Sequence, residues 1–137
     1  MLTLTSCSQS VPNVPVRVLQ IQQNWELQVG DTVADYKIVG SLGDVSVELN
    51  GGVVYAPFDG QLQPNDIAGC FVYSSPEVPA YLFRLCGLQA LKLGNVSSGE
   101  AIAKGEFLQF AALRRQPDGT WVIVEPAPDI LERSLKP

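Results

Sequence analysis

The chain has 137 residues, of which 46% are hydrophobic, so it is long and apolar enough to build one core and is not a disordered polymer. Its formal net charge is −5 and it has no run of Lys or Arg residues. This charge makes nucleic acid and an anionic membrane surface poor partners for the fold. No apolar stretch approaches the roughly 18–20 residues that a membrane-spanning helix requires.

The first fifteen residues are predicted to be a flexible tail, because they are polar, contain two prolines and show no periodicity. Residues 16–137 are predicted to form a single β domain. Within the tail, Leu4-Thr5-Ser6-Cys7 resembles a bacterial lipobox, in which a small-residue cleavage site precedes a cysteine that becomes lipidated. The basic and long apolar segments of an export signal do not precede it. Two interpretations stay open: a lipid anchor at Cys7 in the bacterial envelope, or an inert thiol in a protein that is otherwise cytoplasmic.

The first half of the domain is predicted to contain four short strands. Residues 16–21, 36–39 and 45–49 are rich in β-branched and apolar residues, and the first and third alternate. Asn50-Gly51 is typical of a two-residue hairpin turn, so residues 53–55 are expected to pair back onto residues 45–49.

The second half begins with a predicted hairpin whose strands cover residues 70–73 and 81–86. Cys70 and Cys86 flank this hairpin. The placement allows a cross-strand disulfide in an oxidising compartment. Two buried, reduced thiols are an equally good interpretation.

Further strands and one helix complete the domain. Residues 96–108 read V-x-x-G-E-x-I-x-K-G-E-x-L, which predicts two short strands joined through glycine turns. Strands are also predicted over residues 107–113 and 121–124, and a short C-terminal helix over residues 129–135. Ten or eleven short strands with one terminal helix predict an all-β sandwich or barrel.

Four segments in this order resemble a lysostaphin/LytM-type peptidoglycan endopeptidase domain. Residues 51–62 match G-x-x-V-x-A-P-x-x-G-x-V, and residues 81–85 match a strand that ends Y-x-H-L. Residues 96–108 match V-x-x-G-D-x-V-x-K-G-Q-x-I, and residues 113–126 match a strand, a glycine turn and a V-x-P tail. The resemblance implies the duplicated hybrid motif fold, a barrel-sandwich hybrid β-sandwich.

The resemblance also implies where a zinc site would lie. The family holds zinc with two histidines and an aspartate and places a further histidine near the attacking water, but this chain has no histidine. The corresponding positions fall on or near Asp44, Arg84 and Gln109. Either the Arg84 guanidinium occupies the vacated metal position and pairs with Asp44, or Arg84 is an outward-facing strand residue. No catalytic residue, metal or cofactor is expected.

The function expected from this pattern is non-enzymatic. The chain would be a LytM-like binding or regulatory domain of the bacterial envelope, with cell-wall glycan or a protein partner such as a cell-wall hydrolase as its ligand. The alternative is a biotinyl- or lipoyl-like carrier domain, which shares the G-E-x-I-x-K-G-E-x-L run and holds its cofactor on a lysine at a hairpin tip. Lys37, Lys92 and Lys104 are near glycine turns but lack the neighbours that such a lysine has.

Overall fold

A computed structural model of the protein describes residues 13–18, 25–41 and 43–137. These residues form two antiparallel sheets and one short C-terminal helix, so the predicted all-β class is confirmed. Among them, no helix has the length and apolar character that crossing a membrane would require. The tail cysteine, Cys7, lies outside the described residues.

The elements follow each other in the order β1 (Thr32–Val33), β2 (Tyr36–Gly40), β3 (Val45–Glu48), β4 (Val53–Tyr55), β5 (Gly60–Pro64), β6 (Cys70–Ser74), β7 (Tyr81–Cys86), β8 (Gln89–Ala90), β9 (Gly94–Val96), β10 (Ala101–Lys104), β11 (Phe107–Arg115), β12 (Trp121–Val124) and α1 (Pro128–Leu135). The larger sheet has the strand order β1-β2-β3-β11-β7-β6-β5-β9, and β12 pairs with β11 as a branch. The smaller sheet has the order β4-β10-β8.

The hydrophobic core lies between the inner faces of the two sheets and is closed by α1. Alternate residues of β3 and β11 point inward, as the twofold period of a strand requires. The rings of Phe83 in β7 and Phe110 in β11 are 5.6 Å apart at their centroids, at the middle of the larger sheet. On the helix, Leu131 and Leu135 are buried and face this core.

The predicted hairpin at Asn50-Gly51 is wrong in its pairing, although the turn itself forms. Both residues have positive φ, 53° and 84°, as a two-residue hairpin turn requires. However, β4 pairs with β10 in the smaller sheet, because both edges of β3 are already occupied by β2 and β11. The turn therefore transfers the chain from one sheet to the other.

The N-terminal end of the domain also differs from the prediction. Residues 16–18 form no strand and are exposed, and residues 19–21 lie outside the described part of the chain. Residues 60–64 form a strand, β5, that was not predicted from the sequence. The helix begins at Pro128. A backbone N–H at this first position has no partner within the helix, so proline loses no hydrogen bond there. The Asp129 carboxylate complements the positive end of the helix dipole.

Tyr73 in β6 fixes the loop between β4 and β5. Its side chain is buried, and its hydroxyl donates to the Phe58 carbonyl at 2.5 Å and accepts from the Phe58 N–H at 3.1 Å. Burial raises the pKa of the Tyr73 phenol from 10.0 to about 12. Because both backbone groups of Phe58 depend on this one hydroxyl, its removal leaves two polar groups without their partner.

We therefore expect Tyr73→Phe to lower the free energy of unfolding by about 1–3 kcal/mol, the usual cost of an unpaired, partly buried polar group. Urea denaturation measures this change. The matched control is Tyr55→Phe, since Tyr55 is half-buried and its hydroxyl has no hydrogen bond to a described residue. An equal loss in both variants would contradict the role assigned to Tyr73.

The same residue gives a pH dependence whose sign follows from its raised pKa. Below pH 10 the phenol is protonated in both the folded and the unfolded chain, and its contribution to stability is fully present. Between pH 10 and about 12 the unfolded chain loses this proton first, so the free energy of unfolding decreases. Tyr73→Phe should flatten this part of the stability curve, which urea titrations at several pH values would show.

Candidate functional site

The positions that the sequence analysis singled out lie together on the outer face of the larger sheet. Arg84 lies in β7 and Gln109 in β11, and Asp44 directly precedes β3, which pairs with the other side of β11. Arg84 in β7 is directly opposite Ala111 in β11, and Gln109 in β11 is opposite both Ser46 and Cys86. All of these residues alternate with inward-facing ones, so they occupy the side of the sheet away from the core.

An ion pair joins Arg84 to Asp44 on this face. The Arg84 Nη2 atom donates a hydrogen bond to Asp44 Oδ1 at 2.9 Å, and the two side chains are 29% and 32% exposed. The predicted contact between Arg84 and Asp44 is present, and Arg84 is also an outward-facing residue of β7, so features of both interpretations occur together.

The ion pair spans β11, and the small β11 residue beneath it, Ala111, allows the two side chains to meet. Asp44 immediately precedes Val45, which is opposite Phe110, so Asp44 is level with Ala111, the partner of Arg84. Ala111 is fully buried although it points away from the core. Its methyl group is small enough for the guanidinium and the carboxylate to meet above it.

The ion pair orients side chains more than it stabilises the fold. Pairs at this degree of exposure contribute about 0.2–1 kcal/mol, since water screens the charges and two side chains lose freedom. In addition, Arg84 Nε is buried and has no hydrogen-bond partner among the described residues. That unpaired donor offsets part of the gain.

The residues at this site do not fit the zinc ion that the resemblance implies. A guanidinium has no lone pair to give to a metal and keeps its positive charge in proteins. The site then offers one carboxylate, which is already paired, and the amide of Gln109. The described residues contain no group of three or more His, Cys, Asp or Glu side chains that could hold a metal ion.

A disulfide closes the neighbouring hairpin. Cys70 in β6 and Cys86 in β7 are bonded, are directly opposite each other in the ladder and are almost buried. Cys86 is two residues from Arg84 and opposite Gln109. The bond therefore holds β6 to β7 beside the ion pair.

Apolar side chains complete the surface around the ion pair, and sequence spacing alone did not find them. Val72 is opposite Arg84, and Leu82 is opposite Leu113, which places all three apolar residues on the outer face, half-buried. The alternation of these residues with core residues was visible in the sequence. The β7–β11 pairing that places Leu113 opposite Leu82 was not. We define the Arg84 face as the six residues Asp44, Val72, Leu82, Arg84, Gln109 and Leu113.

The three lysines considered for a carrier domain are not at hairpin tips. Lys37 lies inside β2 and Lys104 ends β10, where it is opposite Val53 and Gln89. Lys92 lies between β8 and β9, and its Nζ atom is 2.7 Å from Glu100 Oε2. This contact lowers the pKa of Glu100.

No known protein-family model matches the chain, and no curated protein sequence matches it either.

A double-mutant cycle tests the ion pair. We expect Asp44→Asn and Arg84→Gln to show a coupling energy of about 0.2–1 kcal/mol in urea denaturation, which decreases in 1 M salt. The control cycle uses Lys92 and Glu100, a more exposed pair that should couple more weakly. A coupling energy of zero for Asp44 and Arg84 at low salt would show that the two charges do not interact in solution.

Proposed function

We propose that this protein is a non-catalytic, LytM-like binding or regulatory domain of the bacterial envelope, and that the Arg84 face contacts its ligand. The ligand is peptidoglycan or a cell-wall hydrolase. The observation that supports this most is the Asp44–Arg84 ion pair, which lies where the resemblance implies a zinc site. A fixed positive charge there favours recognition of polar groups over metal-assisted hydrolysis.

The chemistry of the available side chains supports a role without bond cleavage. The sequence has no histidine, so the residue type most often used as a general base is missing. Arg84 cannot accept a proton at physiological pH, because a guanidinium stays charged. What the face offers are hydrogen-bond donors and acceptors beside apolar surface.

The composition of the Arg84 face supports a ligand that is partly apolar and partly polar. Val72, Leu82 and Leu113 provide half-buried apolar area, while Arg84 and Gln109 provide donors for carboxylate, carbonyl or hydroxyl groups. Peptide stems and sugar rings both combine these features. The disulfide beside the face agrees with an oxidising compartment, in which such bonds persist.

Co-sedimentation with purified peptidoglycan sacculi tests the glycan arm of this proposal. We expect the wild type to pellet with sacculi and Leu113→Glu to lose at least tenfold in apparent affinity, because a carboxylate then occupies the apolar part of the face. The matched control is Ile67→Glu, which makes the same kind of change at an exposed residue of the β5–β6 turn. Equal binding by the two variants would place the contact elsewhere.

A cell-wall amidase assay tests the hydrolase arm with the same proteins. If the wild type increases the release of soluble peptidoglycan fragments by an added amidase and Leu113→Glu does not, the ligand is the enzyme. Release of such fragments by the wild type alone would contradict a non-catalytic domain. Failure of both sacculus binding and amidase activation would remove the proposal.

The carrier alternative makes a separate prediction about lysine modification. Given the Lys92–Glu100 contact and the strand positions of Lys37 and Lys104, we expect no biotinyl or lipoyl group on any of them. Peptide mapping by mass spectrometry of protein from its native source checks each lysine. An added mass of either cofactor on one lysine would favour the carrier function.

A further inference from the structure

A second surface of the molecule is the outer edge of β12, where backbone groups have no hydrogen-bond partner among the described residues. Strand β12 pairs with β11 on one side, and no described strand pairs with it on the other. Three successive apolar side chains on this strand are exposed, namely Trp121 at 36%, Val122 at 41% and Ile123 at 46%. An edge of this kind can accept another strand.

The hydrogen-bonding pattern shows which backbone groups point outward. Gln116 N–H donates to the Thr120 carbonyl at 2.8 Å, so the backbone groups of Thr120 point toward β11. The backbone N–H and C=O groups of Val122 and Val124 point the same way, because this direction repeats every two residues along a strand. On β11, Arg115 N–H donates to the Ala80 carbonyl on the opposite side, which agrees with this alternation. The N–H and C=O groups of Trp121 and Ile123 therefore face the free edge.

Positive charge lies on β11, which is separated from this edge by the width of β12. A cavity of about 660 Å³ is lined by Arg114 and Arg115 together with Val122 and Val124. Neither arginine forms a salt bridge with a described residue. In a chain of net charge −5, two unpaired guanidinium groups beside an apolar wall indicate a site for carboxylates.

We infer that the β12 edge binds an extended, acidic segment of a partner protein, which adds to the larger sheet as a further strand. Backbone groups of Trp121 and Ile123 supply the ladder, and apolar side chains pack on the exposed side chains of these two residues. The acidic side chains that alternate with them lie on the opposite face of the sheet, where Arg114 is beside Val122 and Val124. This interaction goes beyond the ligand proposed for the Arg84 face: it uses backbone groups at the edge of the sheet, and the two surfaces adjoin where Ile123 is opposite Leu113.

Charge distinguishes an acidic partner segment from two other possible occupants of this edge, which are residues 1–24 of the same chain and the β12 strand of a second copy. Residues 1–24 contain no Asp or Glu and include Arg17, so they bring no carboxylate to Arg114 and Arg115. The β12 strand of a second copy likewise has no acidic residue. The adjoining carboxylate of Glu125 already accepts hydrogen bonds from the N–H groups of Glu26 and Leu27.

The test uses a synthetic octapeptide of alternating Val and Glu, blocked at both ends, and a Val–Lys peptide of equal length. Isothermal titration with the full chain measures affinity, and NMR amide shifts locate the contact. We expect the Val–Glu peptide to bind and to shift the amides of Trp121 and Ile123. The Val–Lys peptide should bind at least tenfold more weakly.

The key variant is Ile123→Pro, which removes one outward N–H without breaking the β11–β12 ladder, because proline is tolerated on an edge strand at such a position. We expect it to fold and to weaken peptide binding at least tenfold. Ile123→Thr is the matched control, since it keeps the N–H and the β-branched shape. Changing both arginines, Arg114→Gln with Arg115→Gln, should weaken binding severalfold and reduce its dependence on salt.

Several results would overturn the inference. Equal binding of the Val–Glu and Val–Lys peptides, or unchanged binding by a folded Ile123→Pro variant, would exclude an acidic added strand. Slow hydrogen exchange at the Trp121 and Ile123 amides of the free monomer would show that the chain covers its own edge. A dimer of the wild type that Ile123→Pro dissociates would show that the second copy is the occupant.

Discussion

The architecture depends on one strand, β11, which pairs with three others. Its first half is bonded to β3, its second half to β12 on the same side, and β7 runs along the opposite side. Since β3 and β12 both pair with one edge of β11, that edge has no room for another strand. Strand β2 pairs with the other side of β3, so β3 has no free edge and the chain after Asn50-Gly51 continues in the smaller sheet. Strand β12 has no second partner among the described strands and is therefore an edge.

The same strand relates the two surfaces to which we assign binding. Alternate residues of β11 point to opposite sides, so Gln109 and Ala111 belong to the outer face, whereas Phe110 belongs to the core. Toward its end, β11 extends beyond the core and places Arg114 and Arg115 beside β12. The central strand β11 thus connects the two surfaces for which we propose ligands, one over its middle and the other at its end.

The sequence contained most of the local structure and only part of the site. Alternation and turn residues predict β2, β3, the β6–β7 hairpin and the terminal helix, because these signals are local. The Asp44–Arg84 contact was one of two interpretations, and it came from a family resemblance and not from the spacing of the residues. The pairing of β4 with β10 could not be predicted, since it depends on which edges other strands have already filled. For the same reason, nothing in the sequence indicated that Leu113 would be opposite Leu82 and near Arg84, whereas the position of Val72 follows from a hairpin in which Cys70 is opposite Cys86.

The fully buried methyl of Ala111, beneath the paired charges, has a consequence for how this face can change. A divalent cation that approached Asp44 would meet the tethered guanidinium first, so adding a single histidine at position 109 or 111 creates no metal site. A bulkier side chain at 111 would also push the two charges apart. Acquiring metal chemistry here requires at least two replacements, one of them at Arg84, and an intermediate changed only at Arg84 would lose the present contact without gaining a new one.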